Sequence, residues 1–361
     1  MVDFEKYSCN NVNGYCKRLH KMTRRSSSVT IRDVAREAGV SVATVSRYIN
    51  KNAPVSQEVA DRLQAVMSKL RFVPHTAAQN LASRKTRVIG LLLNNLHNDF
   101  FVPLLNGVET VVRQKGYNLI VATYHANSRE HTHPPIGPHN TDGLLVFSDG
   151  LMDDDLAALN LSGFPMVLVH RTPPPHVPIP SVTVENLEST KRLVDHLINS
   201  HGKRKILFFR GPIHQEDSLR REAGYRAALQ ANQIPIDENL ILNGDFERDI
   251  AYEALNRFLG NGQRDAFDAI FTGDDYAAIG VMKSLHENEI RIPEDVAVVG
   301  FDDLRFSPFL NPPLTTVRAP TESVGKIATE RLFGLLENNP SEEVIILPTE
   351  IIYRRSCGCQ L

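Results

Sequence analysis

Between residues 30 and 50 the chain places hydroxyls, an amide and one guanidinium at helical spacing: Ser41, Thr44, Ser46, Arg47 and Asn50. Hydroxyls and amides donate to phosphate oxygens, and a guanidinium grips the guanine edge bidentately. This chemistry recognises a polyanion and breaks no bond. A dinucleotide fingerprint would need G-x-G-x-x-G after a strand, and a phosphate loop would need G-x-x-x-x-G-K-[ST]; neither occurs. No cofactor is therefore expected. Nor does any nucleophile–base constellation stand out as catalytic.

Two short helices must position that polar face. Thr30 and Asp33 have the spacing of a capping box. Ile31, Val34, Ala35 and Ala38 fall on one helical face, and Gly39 ends the helix in the left-handed region open to glycine. Ser41 caps a second helix whose inward residues are Val45 and Ile49. A tight turn between two such helices is a helix-turn-helix. Ser56 opens a third helix with the stripe Val59, Leu63, Val66, Met67 and Leu70, and Phe72-Val73-Pro74 stops it. Residues 75–82 are helix-prone but too short to be stable alone. Residues 83–87 form a basic linker, and 1–28 are polar, aperiodic and expected to be disordered. Met22, at the start of a basic arm, is an alternative start to Met1.

Charge divides the same way. Over the whole chain the formal charge is −2, but residues 22–87 carry 12 Lys+Arg against 4 Asp+Glu, and residues 88–361 carry 24 against 36. A basic head on an acidic body points to a polyanionic partner for the head alone. No apolar run is long enough to span a membrane and no secretory segment opens the chain, so a cytoplasmic location is expected. The cysteines Cys9, Cys16, Cys357 and Cys359 contain no C-x-x-C and match neither a disulfide framework nor a zinc pattern.

From Val88 onward strands alternate with helices. Continuous apolar runs lie at 88–93, 118–123, 143–147, 166–169, 205–209, 269–272 and 296–301, with amphipathic stretches at 100–115, 186–200, 219–232, 247–260 and 275–289. That pattern predicts doubly wound parallel sheets, twice over.

The motifs T-I-R-D-V-A-R-E-A-G-V-S-V-A-T-V-S-R-Y-I-N, A-A-Q-N-L, V-A-V-V-G-F-D-D and N-P-P-L-T-T-V, in this order, resemble those of the lactose-repressor (LacI/GalR) family of bacterial transcription regulators. The resemblance covers residues 29–356. It implies an all-α helix-turn-helix head (29–73), a hinge helix and linker (74–86) and an α/β periplasmic-binding-protein-like body (87–356). The body would hold an N-terminal subdomain, 87–170 plus 317–339, and a C-terminal one, 182–314 plus 342–356, joined by three crossings. It also implies a homodimer on palindromic double-stranded operator DNA, most simply a repressor, controlled by a small molecule in the interlobe cleft. No heptad leucines follow residue 354, so no tetramerising helix is expected.

Residue by residue, the resemblance implies that Val42, Ala43 and Arg47 read bases, while Thr30, Ser41, Thr44, Ser46, Asn50 and His75 contact phosphates. Leu81, beside Ala82, would wedge into the minor groove and kink the duplex. In the cleft Phe100 would be an aromatic platform, Arg221 would grip the ligand, and Asp274 and Asp302 would be polar walls. Carboxylates that accept from hydroxyls beside an arginine that donates suit a sugar or sugar derivative. Asp275 and Asp303 are expected to cap turns instead. The alternative reading, a solute-binding protein of a transport system, shares the body but would need an export segment and no basic head.

Two stretches depart from the family. Residues 125–141 stand where a helix is usual, yet their prolines and glycines forbid one. Their His125, His131, His133 and His139 fit no zinc spacing, so no metal is expected there. At Val169-His170-Arg171 the family more often has an acidic residue before the arginine, which points to a different effector preference.

Overall fold

The computed structural model describes residues 29–50, 53–72, 85–97, 99–124, 134–339 and 343–360. His75, Leu81, Ala82, His125, His131, His133 and the arm 1–28 lie outside the described residues. The chain divides into two compact units, Met1–Arg84 and Lys85–Leu361.

In the first unit, helices α1 (Ile31–Ala38), α2 (Val42–Asn50) and α3 (Gln57–Lys69) enclose a core of Val34, Ala35, Ala38, Val45 and Leu63. Asp33 accepts from the Thr30 N–H at 2.9 Å and from the Thr30 hydroxyl at 2.7 Å, which ties down the first turn. Gly39 stops α1 at φ 66°, where a side chain would be strained. Tyr48 also packs against this core.

The second unit contains two sheets. The first runs β11-β5-β4-β3-β1-β2 and is wholly parallel: β1 Val88–Leu93, β2 Asn118–Thr123, β3 Gly143–Phe147, β4 Met166–Val169, β5 Ser181–Val184 and β11 Val344–Leu347. The second runs β12-β10-β9-β8-β6-β7: β6 Ile206–Arg210, β7 Ile241–Asn243, β8 Ala269–Thr272, β9 Ala297–Asp302, β10 Thr315–Arg318 and β12 Glu350–Ile352. Only β12 is antiparallel to its neighbour. Helices α4 (Phe101–Gln114), α5 (Asp153–Leu161) and α10 (Thr321–Leu336) belong to the first lobe. Helices α6 (Leu187–His201), α7 (Glu216–Ala231), α8 (Arg248–Gly260) and α9 (Asp275–Glu287) belong to the second.

This pairing corrects the expected subdomain limits. β5 and β11 are strands of the first lobe, not the second, and β10 is a strand of the second lobe, although the N-terminal piece was expected to resume at 317. The crossings therefore fall at 185–186, 319–320 and 348–349. The physical reason is edge pairing: Ser181–Val184 forms a parallel ladder with β4 on one side and with β11 on the other. Of residues 125–141, those described, 134–141, form turns around buried Ile136 and no helix.

Candidate functional site

The head presents one set of exposed side chains on α2. Val42, Ala43 and Arg47, the expected base readers, are all exposed, whereas Val45 between them is fully buried. An exposed valine beside an exposed arginine leaves apolar surface that the isolated unit has no use for; Val42 is 43% accessible. The expected phosphate contacts flank them. Ser41 Oγ accepts from the Thr44 N–H at 3.1 Å and lies 2.9 Å from Thr44 Oγ1, and Asn50 Nδ2 donates to Ser46 Oγ at 3.1 Å. These short-range pairs hold the hydroxyls in place, and each oxygen keeps further bonding capacity.

The second site lies in the cleft between the two lobes of the body, at the carboxyl ends of strands from both sheets. β1 and β3 deliver Asn94, Ser148 and Asp149; β6, β8 and β9 lead into Pro212, Asp274 and Asp302. All four residues expected in the cleft, Phe100, Arg221, Asp274 and Asp302, line one cavity of about 230 Å³. A second space of about 610 Å³ shares Asn94, Ser148, Asp149 and His214 with it, so the cleft continues beyond the first chamber.

Arg221 organises the floor. Helix α7 brings it one turn beyond Asp217, and its side chain is almost fully buried. Its Nε donates to Asn186 Oδ1 at 2.8 Å, Nη1 to the Gly273 carbonyl at 2.6 Å and Nη2 to Asp302 Oδ1 at 3.2 Å. The guanidinium lies 3.7 Å from the centre of the Phe301 ring and 5.4 Å from that of Phe246. A planar cation held by three acceptors and a ring cannot rotate away, so its remaining surface is fixed toward the cavity's contents.

Around it stand three buried carboxyls. For Asp217 burial works upward, but His170, Arg221 and Asn186 prevail and hold it below the usual carboxylate range. Burial raises Asp302, although Arg221 and His170 pull against it. Burial, then the nearby Asp302, pushes Asp274 up to about 7. Asp302 sits at φ 105°, a conformation rarely tolerated outside glycine. Aromatic edges close the other side: the Phe100 ring meets Phe101, Phe147 and the His170 imidazole at 5.4–5.8 Å.

Asp274 differs from expectation in one respect. It is itself the cap of α9, accepting from the Ala277 N–H at 2.9 Å. Asp275 and Asp303, expected as caps, do something else. Asp275 is wholly buried and accepts from Leu304 N, Ser307 Oγ and Thr316 Oγ1, and Asp303 pairs with Arg354 and Arg318. Sequence reasoning missed Asp217, Asn186 and Phe246. For Asp217 a signal existed, the i, i+4 spacing to Arg221; for the other two, both on loops, none did.

Residues 30–75 match the family described as bacterial regulatory proteins, lacI family, and residues 194–357 match the periplasmic binding protein-like domain. Catabolite control protein A of Priestia megaterium is 30% identical over 334 residues, which span 91% of this chain and 99% of that protein. The chain belongs to the lacI family of bacterial regulators. As a lacI-family protein it is a DNA-binding transcriptional regulator and not an enzyme. The fold agrees: a structure of the lac repressor dimer bound to operator and the anti-inducer ONPF superposes with a TM-score of 0.75 at 26% identity, covering 91% of this chain and 99% of that one. The cellobiose complex of the regulator CelR superposes at 0.65 with 28% identity, over 91% and 99%. Among the described residues no helix is long and apolar enough to cross a membrane. With the head in place, the transport solute-binding reading is not favoured for this lacI-family chain.

Proposed function

We propose that this regulator is a homodimeric repressor whose heads bind the two halves of a palindromic operator and whose cleft binds a neutral sugar that alters operator affinity. Two-fold symmetry of the protein then matches that of the site. Val42 and Ala43 supply apolar contact, for instance to a thymine methyl, and Arg47 reads a guanine. Thr30, Ser41, Thr44, Ser46, Asn50 and His75 hold phosphates, and Leu81 with Ala82 at the operator centre kinks the duplex through the minor groove. The protein would act in the cytoplasm on the nucleoid.

The observation that carries the sugar reading is the donor and acceptor balance around Arg221. One cation faces Asp217, Asp274 and Asp302 inside a cavity edged by Phe100 and Phe147. An anionic ligand would meet an excess of acceptors, whereas vicinal hydroxyls donate to carboxylates, accept from the guanidinium and lay their C–H face on a ring. The second chamber leaves room beyond one sugar ring. The CelR comparison, a relative with bound cellobiose, agrees with that chemistry. Closing the lobes on the ligand would change the spacing of the paired hinges, which couples the two sites through one bistable element.

The test has two arms. Selection of duplexes from a random pool should enrich a palindrome, and absence of any sequence preference at low salt would end the operator reading. A thermal-shift screen of neutral sugars, sugar phosphates and nucleobases should yield a neutral sugar that then shifts operator affinity. A hit confined to anionic compounds or nucleobases would end the sugar reading.

A further inference from the structure

A second cluster of chemically able side chains lies outside the cleft. After β12 the chain makes one short 3-10 turn, Arg355–Cys357, and runs beside the C-terminal end of α6. This brings Cys357 and Cys359 to His196 and His201, with one ligating atom from each residue within 4.8 Å of all the others. His196 Nε2 and His201 Nε2 are 3.1 Å apart. Cys359 Sγ lies 3.4 Å from His196 Nε2 and 3.5 Å from His201 Nε2, and Cys357 Sγ lies 3.8 Å from His196 Nε2.

These four separations come close to the edges of a tetrahedron of zinc ligands. With Zn–N bonds of about 2.0–2.1 Å and Zn–S bonds of about 2.3 Å, tetrahedral geometry requires N···N edges of about 3.3 Å and N···S edges of about 3.5 Å. Two thiolates and two imidazoles are also a donor set that selects zinc over magnesium or calcium. We infer that His196, His201, Cys357 and Cys359 form a tetrahedral zinc site that staples the C-terminal tail to helix α6.

The surroundings support a built site. Gly358, at φ 102°, turns the chain so that both sulfurs face the histidines, and a Cβ there would lie 3.2 Å from His201 Nδ1. The Thr315 hydroxyl lies 3.1 Å from Cys357 Sγ and 2.8 Å from the Arg354 carbonyl, so its one proton can turn to the sulfur as the outer contact that steadies a thiolate ligand. The Tyr353 ring covers His196 with centroids 4.5 Å apart. Cys357 is fully buried, the other three ligands are partly so, and neither cysteine is in a disulfide. The cysteines stand apart from any zinc pattern for a plain reason. Cysteine spacing alone shows C-x-C, tighter than a zinc motif's cysteine pair, whereas half the ligands come from a helix about 160 residues earlier, where His196 and His201 have the H-x4-H spacing of known zinc sites.

The experiment uses the untagged full chain produced in zinc-supplemented medium. Elemental analysis should find one zinc per chain. After chelation, cobalt(II) should give the intense red-region absorption of a tetrahedral thiolate site together with a near-ultraviolet thiolate band. Cys359→Ser and His201→Gln should each weaken or abolish both signals and lower the zinc-dependent rise in Tm. Far-ultraviolet circular dichroism checks that each variant is folded. Cys9→Ser/Cys16→Ser and replacement of His125, His131, His133 and His139 should leave the stoichiometry at one. Zinc that survives Cys359→Ser but is lost with the 125–139 histidines would overturn the inference. So would an octahedral cobalt spectrum, or a Cys357–Cys359 disulfide in protein that takes up no metal.

Discussion

His170 Nδ1 lies 2.8 Å from Asp217 Oδ2, and this contact joins the two lobes beneath the cleft. His170 follows β4 of the first lobe, and Asp217 is in the first turn of α7 of the second. Both are buried, and Asp217 also accepts from Asn186 Nδ2 at the crossing. The acid of this pair comes from the opposite lobe, and a second carboxylate at 170 would face it with like charge.

His170→Ala should therefore cost stability, about 1–3 kcal/mol, because Asp217 loses a buried partner. The sign of the pH dependence follows from the shift. Asp217 is held below its ordinary value, so its contribution is present at neutral pH and is lost as pH falls through the acid range. Without His170 the largest remaining influence is burial, which pushes the other way. The variant should thus lose less stability than the parent as pH falls from neutral into the acid range. Melting temperatures across that range check this, and parallel curves would refute it.

Asp274 has the opposite sign. Its carboxyl is raised to about 7, so the folded protein holds a proton that the unfolded chain has released, and stability declines as pH rises from about 4 toward 7. Asn caps a helix as well as Asp does, so Asp274→Asn keeps the bond to Ala277 and removes the charge. The unliganded variant should be more stable above pH 7, on the order of 1–2 kcal/mol, with a flatter decline. Calorimetry at several pH values measures it. If the same carboxylate accepts from the effector, the variant should also bind it less tightly.

The elements that sequence revealed are those with a strong period or a continuous apolar run. β1 to β4 match their expected limits, and α4, α6, α8 and α9 lie within two residues of theirs. The missed ones have reasons of their own. β5 reads Ser-Val-Thr-Val, and two buried hydroxyl residues interrupt the apolar run. β12 is only three residues long. Helix α5 begins with three aspartates in its first turn, which favour a helix N-terminus but read as a loop. The cleft was legible only where a family motif marked it, at Phe100, Arg221, Asp274 and Asp302. Phe246 reaches the same chamber, and Asn186 holds Arg221 and Asp217 beneath it, through loop geometry, which no periodicity encodes.

On the head, Arg47→Ala should relax discrimination at one operator base pair by about 1–3 kcal/mol while binding to unrelated duplex falls less. Its exposure beside Val42 and Ala43 makes a folding defect improbable as a cause of any change. Binding to a set of single-site operator variants provides the measurement. An undiminished preference at every position would remove Arg47 from base recognition.

The last prediction separates the two sites. Asp302→Ala removes the acceptor of Arg221 Nη2 and places a residue with no polar side chain at φ 105°. Both changes destabilise the body, together by about 1–3 kcal/mol, through an under-satisfied buried cation and a strained backbone. Both changes lie in the body, a compact unit distinct from the head. The variant should therefore bind operator with near-parental affinity when no effector is present, yet show no change on adding the sugar found in the screen. Asp302→Asn, which keeps an acceptor for Arg221, should recover most of the stability but little of the response, because an amide is a weaker acceptor for hydroxyl donors. Titration of the operator complex with the sugar, alongside melting curves of both variants, distinguishes these outcomes. A parental response in Asp302→Ala would place the effector elsewhere.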